Sequence, residues 1–113
     1  MLERGTDVNV LEEDNVTPLH EAARNGRVGV VRVLLECDAN VGAEDKEGRT
    51  PLHAAAQGRY KRREYMTAEV VSVLLEYGAN VGAKDNKGRT PFQIASGKGY
   101  GKIMKLLSEY GAK

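Results

Sequence analysis

Two histidines, a single cysteine, a glycine-rich segment and a run of cations are the residues of this chain whose types could do chemistry. A metal site or an activated nucleophile needs partners at ligand or hydrogen-bonding distance, so spacing is the first test. His20 and His53 each close the tetrapeptide Thr-Pro-Leu-His, and a third copy, Thr90-Pro91-Phe92-Gln93, puts a poor metal ligand in the same place. Cys37 has no companion at metal-ligand spacing, and the end of a helix lacks the electropositive surroundings that activate a thiol. Gly97-Lys98-Gly99-Tyr100-Gly101-Lys102 has the composition of a phosphate loop. Yet Ser96 stands where that motif wants its first glycine, Ile103 where it wants a metal-binding hydroxyl, and the segment follows a helix rather than a strand. Glu12-Glu13 reads as a solvated pair on a turn. Neither an enzyme nor a cofactor or metal site is expected.

The elements that would hold these residues are set by repetition. Thr17-Pro18-Leu19-His20 recurs 33 residues later at Thr50-Pro51-Leu52-His53, and the degenerate copy at Thr90 follows after a further 40. The second half of each unit repeats as well: Val30-Val31-Arg32-Val33-Leu34-Leu35 aligns with Val70-Val71-Ser72-Val73-Leu74-Leu75 and then with Ile103-Met104-Lys105-Leu106-Leu107. A period of this length marks a stacked array. Each Thr-Pro pair predicts a helix start, with the hydroxyl accepting from a free amide and proline's fixed φ suiting the first helical position. Ala22-Ala23 and Ala54-Ala55-Ala56 are small enough for neighbouring units to approach closely, and Asn25-Gly26 supplies a turn. A second helix is expected from Val28 to Glu36, with apolar positions 30, 31, 34 and 35 on one face. Gly78 and Gly111 suit left-handed helix ends, where the first unit carries Asp38, and Asn15, Gly48 and Gly88 mark the loop tips between units.

Thr-Pro-Leu-His-x-Ala, the Val-Val-x-x-Leu-Leu helix, the Gly-Ala helix end and the Asp-x-x-Gly turn together resemble the ankyrin repeat family over nearly all 113 residues. The resemblance implies an all-α solenoid of stacked helix-turn-helix units joined by projecting β-hairpin-like loops. It also implies that His20 and His53 tie adjacent loops together by hydrogen bonds, and that an asparagine at the place of Asn9 can be a hydroxylation target. The units are read as 1–16 (the end of an upstream repeat and its loop), 17–49, 50–89 with seven inserted residues, and a capping repeat at 90–113. Ser108 replaces the leucine of Leu35 and Leu75, as expected where no unit follows. The chain is thus expected to be the C-terminal piece of a longer array. Leu19, Ala22, Val30 and Leu34 are expected to lack a stacking neighbour, which makes self-association through the N-terminal face a side route.

Seventeen basic against sixteen acidic side chains give a net charge of +1, so no global field favours nucleic acid or an anionic membrane. Apolar runs of a few residues leave no membrane span, and the lone thiol fits a reducing compartment, cytoplasmic or nuclear. The expected function is protein binding on a concave face of loop tips and first helices: Glu21, Arg24, Asn25, Lys46, Glu47, Arg49, Gln57, Asn86, Lys87 and Arg89. A secondary candidate is the insertion, where Tyr60, Lys61, Arg62, Arg63 and Tyr65 follow Arg59. Cations beside tyrosine suit a protein hot spot or phosphate contact, with nucleic acid the less favoured partner. A structural spacer without a partner is the remaining reading. The insertion is long enough for about two helical turns, which extend the second helix or form a flexible loop.

Overall fold

The computed structural model describes residues 13–59 and 61–111, so the readings made on the opening segment, Asn9 included, and on Tyr60 lie outside the described residues. Three helix pairs follow one another: α1 (Pro18–Arg24) with α2 (Val28–Glu36), α3 (Pro51–Gln57) with α4 (Glu64–Glu76), and α5 (Pro91–Lys98) with α6 (Gly101–Glu109). Each first helix begins as its Thr-Pro pair predicts. The hydroxyls of Thr17, Thr50 and Thr90 accept from the amides of His20, His53 and Gln93 at 3.2, 3.4 and 3.2 Å. In return the threonine amides donate to His20 Nδ1, His53 Nδ1 and Gln93 Oε1 at 3.1, 3.1 and 2.9 Å. This is a capping box in which histidine stands in twice for the usual glutamate or glutamine, each cap stabilising its helix by about 1 kcal/mol.

The units stack helix against helix. α1, α3 and α5 pack in one row and α2, α4 and α6 in another. The alanines make the close row: Ala23, Ala54, Ala55, Ala56 and Ala95 are all buried where the first helices meet. Leu52, Val70, Val71, Leu74, Ile103 and Leu107 fill the space between the rows. The expected uncovered residues need correcting. Leu19, Ala22 and Leu34 are buried within the array, and on α2 it is Val30, as expected, and Val33 that are left outside, at 47% and 40% exposure. Their counterparts Val70 and Val73 are buried, because α4 has α2 beside it. Among the described residues, Val30 and Val33 thus form an exposed apolar ridge on α2.

Asp38 ends α2 in the left-handed region at φ 68°, as Gly78 and Gly111 do after α4 and α6 at 89° and 99°. Within the insertion Lys61–Arg63 form a 3-10 turn that runs straight into α4, whose first residues complete it. That helix starts at Glu64, one turn before Ala68, the counterpart of Val28. Both readings hold in part: one extra helical turn precedes Ala68, and Gly58 and Arg59 are non-helical.

Candidate interaction face

The loops between units are built around one aspartate each. Asp45 Oδ1 accepts from the amides of Glu47 and Arg49 at 2.8 and 3.0 Å, and Asp85 Oδ1 from those of Lys87 and Arg89 at 2.9 and 2.8 Å. Across the neck, Asp45 N–H donates to Arg49 O and Asp85 N–H to Arg89 O, both at 2.9 Å. A short carboxylate can gather successive amides only in a tight turn, which is why Asp-x-x-Gly recurs here. Each loop is then bonded to the next: Lys46 N–H to Asp14 O at 2.7 Å, Asn86 N–H to Glu47 O at 2.9 Å and the Asn86 side-chain amide to Lys46 O at 3.0 Å. Gly48, at φ 76°, lies so close to Asn86 that a Cβ would collide with that side chain.

His20 Nε2 meets Arg49 O at 2.7 Å and His53 Nε2 meets Arg89 O at 2.9 Å, so the two histidines join first helices to loops as the resemblance implied. Both rings are neutral with the proton on Nε2, since Nδ1 accepts from a threonine amide. Burial lowers both pKa values from 6.5, more than the carbonyl acceptors and the aspartates below raise them. The opposite balance holds at Asp85. Burial would raise its pKa, but the amides of Arg89 and Lys87 and the guanidinium groups of Arg49 and Arg89 bring it down to about 2.

The stacked loops leave two grooves. One, of about 340 Å³, is lined by Asp14, Val16, Arg24, Asp45, Lys46 and Glu47; the other, of about 190 Å³, by Lys46, Glu47, Asp85, Asn86, Lys87 and Arg89. Six of the ten residues singled out from the sequence therefore meet here: Arg24, Lys46, Glu47, Asn86, Lys87 and Arg89. Arg24 reaches the loops from the far end of α1 because helical side chains lean toward the N-terminus. Glu21 is its ion-pair partner at 3.5 Å. Asn25 and Gln57 stand at the opposite end of the first helices. Arg49 turns inward, its side chain 12% exposed, with Nε 3.4 Å from Asp85 Oδ2. Asp45 and Asp85, the hubs of the loops, were visible in the sequence only as turn residues; their recurrence 40 residues apart was the available signal.

The insertion is fastened on both sides. Arg59 donates from its amide to Arg24 O at 3.1 Å and from Nε to Asn25 Oδ1 at 2.8 Å. Lys61 Nζ donates to Gly99 O at 2.6 Å and lies 5.3 Å from the centre of the buried Tyr100 ring. Glu64 Oε2 accepts from the amides of Lys102 and Ile103 at 2.7 and 3.2 Å. α6 has no side-chain cap of its own, so a residue of the middle unit caps it.

Three family models match in turn: "Ankyrin repeats (3 copies)" over residues 1–66, "Ankyrin repeat" over 47–86 and "Ankyrin repeats (many copies)" over 68–107. The chain belongs to the ankyrin repeat family, whose members are in general non-enzymatic protein-interaction modules. Similar relatives include rat (Rattus norvegicus) cortactin-binding protein 2, 48% identical over 44% of this chain and 3% of its own length, and human (Homo sapiens) rabankyrin-5, 51% identical over 42% and 4%. A putative ankyrin repeat protein of Rickettsia bellii (strain RML369-C) is 53% identical over 40% of this chain and 19% of its own length. The chain thus spans less than a fifth of any of these three relatives. Among the described residues no helix is long and apolar enough to cross a membrane.

Proposed function

We propose that this chain is a segment of an ankyrin solenoid that binds a protein partner across its loop tips and the adjoining first helices. The observation that carries the reading is the pair of grooves between loops locked to one another by backbone hydrogen bonds. Rigid loops order few side chains on binding, so the association loses less entropy. Lys46 and Glu47 are exposed along both grooves and Asn86 and Lys87 along the second, and the lysines and the glutamate present charges of both signs, which suits a partner selected by charge pattern rather than by apolar area.

The test uses a photo-crosslinking amino acid at Glu47 or Lys87, with Arg32 on the outer face of α2 as control, in a lysate of the source cells. Specific products from the two loop positions are expected. They should disappear when Lys46→Glu and Lys87→Glu are introduced together, with helical circular dichroism unchanged. Products equally strong from Arg32 would remove the loops from the binding site. Arg49→Glu is unsuitable for this purpose, because it sets a carboxylate against buried Asp85 and perturbs the fold as well as the surface.

A further inference from the structure

The far end of the helices carries a second surface, independent of the first. The structure draws the three inter-helix turns together: Arg59 bonds back to the turn after α1, and Lys61 and Glu64 bond forward to the turn before α6. Arg27, Arg59, Lys61, Arg62, Lys98 and Lys102 are thereby brought to one edge, all exposed. The acidic residues nearby are Glu64, whose carboxylate is engaged by two amides, and exposed Glu69 on the next turn of α4. At least two of the cations are fixed without being neutralised. Arg59 donates to an amide oxygen and Lys61 to a carbonyl, neither of which carries charge. A chain with a net charge of +1 has therefore concentrated positive charge along one edge.

We propose that this edge is a docking surface for an acidic, extended protein segment rich in aspartate or glutamate. Helix neighbours lie about 8–10 Å apart, so three turns make a stripe of about 20 Å, the reach of about six extended residues. Arginine pairs with carboxylates in a bidentate geometry, and three of the six cations are arginines. A nucleic acid fits the stripe less well. Single strands bind by stacking successive bases on exposed rings; here the Tyr100 ring is buried beneath Lys61, and among the described residues of the insertion exposed Tyr65 is a single platform rather than a row of them. A duplex would also overhang the loop end, about 10 Å away along first helices of seven or eight residues, where Asp14, Glu44 and Glu47 alternate with Lys46, Lys84 and Lys87 and offer its phosphates no concentrated positive charge.

The experiment measures fluorescence anisotropy of a labelled peptide of about twelve residues alternating glutamate and glycine, with its glutamine counterpart and oligo(dT) in parallel. The glutamate peptide should bind at low salt, weaken as salt rises and lose at least about tenfold in affinity with Arg27→Glu plus Arg62→Glu. Lys46→Glu plus Lys87→Glu should leave that affinity unchanged, so failure here is separable from failure of the loop-face reading. Both double variants should keep the wild-type circular dichroism. Equal binding of the glutamine peptide, no binding of either peptide, or tighter binding of oligo(dT) would each overturn the proposal.

Discussion

The two ends of the helices treat charge in opposite ways. At the loop end, the buried carboxylates serve the fold: Asp85 holds two amides and lies within ion-pair distance of Arg49 and Arg89, while among the exposed charges Lys46 pairs with Asp14 at 3.4 Å. At the turn end, Arg59 and Lys61 are pinned by uncharged oxygens, and the well-placed carboxylate of Glu64 is spent on the amides of α6. Loops without helical hydrogen bonds must satisfy their polar groups somewhere, and buried aspartates do that at the loop end. A turn between two helices needs far less help. Its cations, held by uncharged oxygens, keep their charge.

The largest test of this contrast is Asp85→Ala. The side chain is 1% exposed, and its removal leaves the amides of Lys87 and Arg89 and the Arg49 guanidinium without their acceptor. A loss of about 3 kcal/mol in urea unfolding is expected. Arg62→Ala at the turn end should stay within about 0.5 kcal/mol of wild type. Acid should act through the same residue. With the folded pKa lowered to about 2 against an ordinary 3.8, its contribution is complete above the unfolded value and drains away as pH falls from about 4 toward 2. Similar losses for the two variants would erase the distinction between the ends.

Glu64→Ala probes the place where the turn end spends a carboxylate on a helix end. Losing a cap that faces the positive end of α6 should cost about 1 to 2 kcal/mol. The effect should be localised: amide exchange at Lys102 and Ile103 is expected to accelerate while that of α2 is unchanged. Unaltered exchange at those two amides would mean that α6 is capped by water and that the insertion is fastened by Arg59 and Lys61 alone. Removing residues 60–66 altogether should leave the helices formed but the last unit more weakly attached.

The fold was legible because the array is made of local rules repeated in register. Thr-Pro fixed the helix starts, the paired alanines the close row, and Asp38 at φ 68° took the left-handed place its alignment with Gly78 implied. What repetition could not convey is what each unit does to its neighbour. Arg49 and Arg89 look equivalent in sequence, yet one side chain is 12% exposed and the other 42%, because Arg49 folds against Asp85 of the next loop while Arg89 pairs with Asp85 of its own. Glu64 gave no sign of capping a helix 38 residues on, since that pairing depends on how far the insertion carries α4 toward α6. Likewise the cationic edge crosses three turns that are distant in the chain.

The smallest effect concerns the histidines that couple the first helices to the loop end. His53→Gln should keep the capping box, because Gln93 makes the same two bonds with Thr90. It loses the bond from Nε2 to Arg89 O, however, and about 1 kcal/mol at pH 7 is the expected cost. The pH dependence gives the sharper reading. A buried histidine with a lowered pKa binds its proton more readily when unfolded, so its contribution is complete above 6.5 and is lost as pH falls below that value toward the folded pKa. Wild type carries two such rings and should lose stability from pH 7 to 5 with about twice the slope of His53→Gln. Parallel slopes for the two proteins would show that protonation of His53 leaves its links to Thr50 and Arg89 intact, and that the loop end is held by its aspartates alone.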